Sequence, residues 1–299
     1  MSRLFADEVN METKNVVAIG KFDGVHIGHR TLIETAAALS EKLNMRLAVY
    51  VISAPNPKSI TTPQRQERIL RDLGADAIVR QELTEDFRSL SPEEFVDKIL
   101  VGKLSAGYVV VGYNFRFGFN RRGDAKMLGE LLSRYGVGIT VIDSVNVENE
   151  PVSSTRIRRL IENGDTEMIK KCLGRYFCMW GTASEGKHLG AKIGFPTINF
   201  YPSPDALIPK HGVYVSKVFL DGKRYTGITN VGVNPTVENG KNIKVETHIP
   251  SLGTGKLYGK SVRIAFAEYI RGESKFESVE QLKCQLERDK KYALEKYGE

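Results

Sequence analysis

The stretch Gly20-Lys21-Phe22-Asp23-Gly24-Val25-His26-Ile27-Gly28-His29 decides how the first half of this 299-residue chain is read. It follows Asn15-Val16-Val17-Ala18-Ile19, apolar and β-branched like a buried parallel strand, and residues 30–43 after it carry apolar groups at helical spacing. A strand-to-helix turn presents free backbone amides and the positive end of the helix dipole. That combination favours an anion, and Gly24 and Gly28 leave room for close approach. His26 and His29, two of the five histidines, can donate hydrogen bonds to a phosphate whose charge grows in the transition state. A zinc site would need more than this half ligand set, and neither Cys nor a third His lies nearby. An ordinary polar turn would require strand, glycines and histidines to coincide by chance. The glycines lack both the Gly-Lys-Ser/Thr ending of a P-loop and the Gly-x-Gly-x-x-Gly of a dinucleotide fold.

Outward from this turn, strand-like runs at 16–19, 47–52, 108–111 and 138–142 alternate with helix-like stretches at 63–73, 91–100 and 126–135. Such alternation predicts a parallel sheet with helices on both faces and ligands at the carboxyl ends of the strands. After residue 173 the texture changes to short strands at 213–220, 224–230, 244–249 and 261–267. Asp221-Gly222 is a hairpin signal, and a terminal helix over 278–297 is capped by Ser278. The expected architecture is an α/β domain over residues 1–173 and an antiparallel β-barrel with a terminal helix over 174–299.

Composition sets outer limits. Hydrophobic residues are 41% and charged residues 26%, and no apolar run approaches the ~18 residues that span a membrane. The N-terminus carries acidic residues and no apolar core, unlike a secretory signal. Three cysteines without a Cys-x-x-Cys pair predict a reduced, cytoplasmic protein. Of the net charge of +7, +6 falls from Gly174 onward, but the basic residues are scattered. This argues against a dedicated nucleic-acid binder and fits small phosphorylated ligands. Self-association stays open.

Other segments carry chemistry. Gly112-Tyr113-Asn114-Phe115-Arg116-Phe117-Gly118 follows a strand, and its aromatic rings and guanidinium suit a flat ring system bearing phosphate; alternatively it is a structured loop around two partly buried rings. Ser153-Ser154-Thr155-Arg156-Ile157-Arg158 opens a helix as a cationic anion seat, although capping alone would explain the hydroxyls. Gly181 to Lys187 imitates a Walker start but lacks the Ser/Thr and the helix. In Gly190 to Asn199, Gly194 and Pro196 shape the backbone. Thr197 and Asn199 fall on one side if extended, oxygen donors suited to Mg²⁺ with nucleotide phosphates; a plain turn into a strand is the alternative. Glu246 shares a strand face with Lys244 and His248; a carboxylate facing a barrel interior is costly unless paired or employed, so it is a candidate general base. Arg271 reads as a ligand contact or as a surface arginine.

Together these segments, with Asn120 to Asp124, Gly227 to Thr236 and Arg271 to Phe276, resemble in order and spacing the prokaryotic bifunctional riboflavin kinase/FAD synthetase family over nearly the whole chain. The resemblance implies an N-terminal nucleotidyltransferase that joins FMN to the α-phosphorus of ATP, releasing pyrophosphate. ATP would be bound by Gly20, Phe22, Asp23, Gly24, His26 and His29, with Ser154, Thr155 and Arg158 on the opposite side, and the flavin by Asn114, Arg116 and Phe117. It implies a C-terminal riboflavin kinase that makes FMN from riboflavin and ATP. There Thr197 and Asn199 would bind Mg²⁺ and ATP, Glu246 would accept the hydroxyl proton, and Lys187, Lys192, Gly194, Pro196, Asn230 and Arg271 would hold ATP or flavin. Two departures stand out: Asn56 occupies the middle of the family's Pro-His-Pro, and Ala191 replaces an arginine. A nucleotidyltransferase with another acceptor and a non-catalytic flavin regulator are the rival readings.

Overall fold

Strand β1 (Asn15–Gly20) is buried along almost its whole length, as its β-branched sequence requires, and pairs in parallel with β2 (Arg46–Ser53) on one side and β4 (Ala106–Gly112) on the other. With β3 (Ala77–Glu82) and β5 (Gly138–Ile142) the order is β3-β2-β1-β4-β5, entirely parallel. The computed structural model describes residues 13–53, 58–184, 189–203, 205–234, 242–252 and 257–298. Asn56 and Lys187 therefore lie outside the described residues. The chain divides into two compact units, Met1–Ser154 and Thr155–Glu299.

In the first unit, side-chain alternation gives the sheet two apolar faces. Val16, Ala18, Leu47 and Val49 pack with Leu32, Ile33 and Ala36 of α1 (Ile27–Leu43) and with Ile69 and Leu70 of α2 (Pro63–Asp72). Val17, Ile19, Val109 and Val111 pack with Phe95, Leu100 and Leu128. These come from a segment in which α3 (Glu85–Ser89) and α4 (Pro92–Glu94) lead into a π-helical stretch, Phe95–Lys103, and from α5 (Ala125–Ser133). Ser91 and Glu94 form a reciprocal capping box at the start of α4. β6 (Asn146–Val147) and β7 (Glu150–Pro151) form a small hairpin after β5. Among the strands of the parallel sheet, β3 is the one that the sequence reading lacks, because only Ala77-Ile78-Val79 is buried and Arg80-Gln81-Glu82 reads as polar.

The second unit begins with α6 (Ser154–Asn163) and α7 (Thr166–Leu173), the latter ended by Gly174 at φ 68°. Next come β8 (Phe177–Thr182), the short α8 (Leu189–Lys192), β9 (Thr197–Phe200), β10 (Gly212–Leu220), β11 (Lys223–Asn234), β12 (Asn242–His248) and β13 (Ser261–Arg271). The antiparallel order is β8-β13-β10-β11-β12-β9. An antiparallel bridge between Ser184 and Asn199 joins its two ends into a barrel, with Ser184 N–H donating to Asn199 O at 2.7 Å. Asp221 and Gly222, at φ 51° and 74°, make the tight β10–β11 turn. The barrel interior holds Tyr214 against Phe266 and a row of buried hydroxyls, Ser216 to Thr229 at 2.6 Å and Thr229 to Thr247 at 2.9 Å. Helix α9 (Val279–Tyr297), N-capped by Ser278, lays Ala293 against Val213, Val215 and Ile228 on the outer face.

Candidate active sites

In the first unit the chain leaves β1 toward β2 on one side and later returns to β4 on the other. The crevice at the carboxyl ends of β1 and β4 is therefore the topological switch point, where ligands bind in such sheets. The 20–29 turn ends β1 and the 112–118 loop ends β4, so the two motifs flank that crevice.

The turn is conformationally demanding. Phe22, Gly24 and Val25 have φ of 52°, 81° and 37°, and the buried Phe22 ring lies so close over Gly20 that an added Cβ would approach it to 3.0 Å. Asp23 Oδ1 accepts from Ile60 N–H at 2.9 Å, Gly24 N–H donates to Thr61 Oγ1 at 2.9 Å, and Ser154 Oγ donates to Asp23 O at 2.9 Å. Buried His26 is the N-cap of α1, its Nδ1 accepting from His29 N–H at 3.3 Å. An Nδ1 that accepts leaves the Nε2 N–H as the donor of that ring. The His29 ring stacks on it, centroids 3.6 Å apart and 15° from parallel. Burial first, and the neighbouring His26 second, hold the His29 pKa well below the ordinary imidazole range. His29 Nδ1 is buried without a hydrogen-bond partner among the described residues. His29 thus offers hydrogen bonds rather than charge.

In the loop after β4, Asn114 and Arg116 are exposed while Phe117 is buried. The Phe117 ring stacks on Phe115 at 5.6 Å and lies against Phe95 at 5.2 Å, and a side chain on Gly123 would collide with it. Phe117 therefore stiffens the loop from beneath, leaving Asn114 and Arg116 on its surface. Ser154 ends the first unit, and its hydroxyl serves the 20–29 turn. Thr155 and Arg158 lie on α6 in the second unit.

In the second unit the strand register aligns the predicted residues. Asn199 pairs with Glu246, Glu246 with Asn230, Asn230 with Val213, and Val213 with Arg271, so one row crosses β9, β12, β11, β10 and β13. Directly opposed residues share a face, and Val213 packs on α9. Glu246 thus stands on the outer face, 36% exposed, and not toward the barrel interior, which takes Val245 and Thr247. Lys244 Nζ binds its Oε1 at 2.6 Å. Thr197 lies two residues from Asn199 on the same side, opposite His248, whose Nδ1 contacts Pro196 O at 2.9 Å. Burial lowers the His248 pKa, and that contact partly offsets the effect. Arg271 is gripped by buried Asp289 of α9, Nη2 to Oδ2 at 2.7 Å and Nε to Oδ2 at 3.1 Å, with Gln285 Nε2 on Oδ1 at 2.8 Å. Asn199 Oδ1 and Asn230 Oδ1 are buried with no partner among the described residues. Gly194, at φ 90°, turns the chain into Pro196 and β9, while Lys192 is exposed on α8. Among the described residues no group of three or more His, Cys, Asp or Glu is placed to hold a metal ion.

Residues 8–156 match the family model described as FAD synthetase, and residues 173–297 match that described as riboflavin kinase. Bifunctional riboflavin kinase/FMN adenylyltransferases of Bacillus subtilis and Listeria monocytogenes are 30% and 32% identical, covering 95% and 93% of this chain and 92% and 91% of their own. The chain belongs to the bifunctional riboflavin kinase/FMN adenylyltransferase family. A member of this family is a two-activity enzyme, here with the FAD synthetase domain preceding the riboflavin kinase domain, and its substrates are ATP, riboflavin and FMN. A crystal structure from Streptococcus pneumoniae described as a macrolide-efflux protein is also similar, with a TM-score of 0.88 at 27% identity over 96% of each chain. Among the described residues no helix is long and apolar enough to cross a membrane.

The residues that sequence reasoning missed are the supports: Thr61, Gln66, Asp289 and Gln285. They carry no motif of their own, and only the topology brings them to the sites.

Proposed function

We propose that the 20–29 turn holds the ATP phosphates for adenylyl transfer and that the Asn199–Glu246–Asn230–Arg271 row is the kinase site. The observation that carries the first assignment is the convergence of two phosphate-type motifs at the β1/β4 switch point. In that reaction an FMN phosphate oxygen forms a bond to the α-phosphorus of ATP while the bond to the leaving pyrophosphate breaks. His26 and His29 donate hydrogen bonds to phosphoryl oxygens whose negative charge increases. Ser154, whose hydroxyl holds Asp23 O, borders the same phosphates, and Asn114 and Arg116 contact the flavin above a platform stiffened by Phe117.

In the kinase the ribityl 5′-hydroxyl attacks the γ-phosphorus, ADP leaves, and Glu246 takes the hydroxyl proton, with Lys244 fixing one carboxylate oxygen. Positioning and charge neutralisation supply most of the acceleration in such transfers. The orphaned Asn199 Oδ1 with the Thr197 hydroxyl is an oxygen-donor pair of the kind Mg²⁺ takes. When bound, Mg²⁺ would neutralise phosphate charge; Thr197 and Asn199 are the residues that would hold it. We place the functional boundary at 173/174, after α7, and the protein in the cytoplasm, consistent with three free cysteines.

Glu246→Gln tests the assignment. With riboflavin and Mg-ATP, FMN formation should fall by about 10²-fold or more, the usual worth of a general base. With FMN supplied, FAD formation should persist. Equal loss of both would sink the separation of sites.

A further inference from the structure

The positive φ of Phe22 and Val25 is a conformation that residues with side chains keep only when their surroundings enforce it. Beside the bonds from Ile60, Thr61 and Ser154, an enforcing group is Gln66 of α2, which is 7% exposed. Its Nε2 donates to Lys21 O at 3.0 Å and to Phe22 O at 2.9 Å, and its Oε1 accepts from Arg80 Nη1 of β3 at 2.7 Å. Arg80 Nη2 in turn donates to Pro63 O at 3.0 Å, anchoring the guanidinium to the first turn of α2. A guanidinium only donates, so it fixes the amide oxygen on its own side and leaves the NH₂ facing the turn. Each peptide is rigid and trans, so drawing the Lys21 and Phe22 carbonyls toward Gln66 points the N–H groups of Phe22 and Asp23 away from it.

We propose that Gln66, oriented by Arg80, is a positioning residue for adenylyl transfer: it sets the Lys21–Val25 turn and so the approach of His26 and His29 to the nucleotide. This rests on the reading that the turn holds the ATP phosphates. The second activity of the same chain supplies an internal control, because Gln66 and Arg80 both belong to the first unit.

The test uses the full-length chain, measuring FAD formation from FMN and Mg-ATP, FMN formation from riboflavin, and thermal unfolding. Gln66→Glu keeps the side-chain size and suits Arg80 better than the amide does, but it has no donor for the two carbonyls. A purely structural link between α2 and β3 would survive it. The expected result is a fall in kcat for FAD formation of about tenfold or more, the scale of two lost hydrogen bonds. The KM for FMN, the kinase rate and the unfolding midpoint should be essentially unchanged. Gln66→Leu should lose at least as much, and Arg80→Met less, since the amide keeps its donors but not its fixed orientation. His29→Ala checks the underlying assignment separately; full FAD synthesis in that variant would overturn the site reading itself. If His29→Ala is inactive while Gln66→Glu and Gln66→Leu stay within about twofold of the parent, only the positioning role is overturned. Losses that track thermal stability across the Gln66 and Arg80 variants would also overturn it.

Discussion

His29 illustrates how a residue's chemistry is set by its neighbours. Its ring packs between His26, at 3.6 Å, and the edge of Phe22, at 5.3 Å, so protonation would place a cation in an apolar and already imidazole-rich site. Its pKa is depressed in the folded protein, so the unfolded chain binds more protons below the ordinary imidazole value of 6.5. Stability of the first unit should therefore decline as pH falls from 6.5 toward the folded pKa. His29→Gln removes that titration. Its unfolding midpoint should drop less between pH 7.5 and 5.5 than the parent's, measured by thermal denaturation, and an equal drop would refute the linkage. The histidines, the Thr197/Asn199 pair and the Glu246–Lys244 face are legible in the sequence because residue type and periodicity carry them. Gln66 and Asp289 are not. Each looks like an ordinary helical polar residue until the fold sets it beside backbone carbonyls or beside Arg271.

At the scale of elements, local signals and observed geometry agree wherever the signal is a hard steric or hydrogen-bonding rule. Asp221-Gly222 predicts a hairpin, and both residues adopt positive φ. Nothing lies within 4 Å of a Cβ built on Gly222, so Gly222→Ala adds backbone strain without a clash. It should cost about 1 kcal/mol, read as a lower unfolding midpoint of the second unit with both activities retained at low temperature. The cap at Ser278 is equally legible. Two kinds of element were not. Half of β3 is polar because it is an edge strand, and β8 mixes Cys178, Trp180 and Gly181, whose fit depends on partners far away. Gly181 is glycine because Phe200 fills the space that its side chain would take. The direction of Glu246 was misread for a related reason: alternation assigns two faces to a strand, and only the packing of α9 says which face is outside.

For the whole molecule, the two candidate sites rest on separately built sheets, one parallel and one antiparallel, each with its own core. Activities housed this way are separable by mixing. A Glu246→Gln chain and a His29→Ala chain, each unable to convert riboflavin to FAD, should together restore FAD formation through FMN released into solution. Product chromatography would show it, and no FAD from the mixture would contradict independent housing.

The orphaned carboxamide oxygens of Asn199 and Asn230 set stability against turnover. A buried acceptor without a partner is a desolvation cost carried by the free protein, and an apolar residue of similar shape would relieve it. Asn230→Leu should therefore raise the unfolding midpoint of the second unit while lowering FMN formation, a trade read by thermal denaturation and product chromatography.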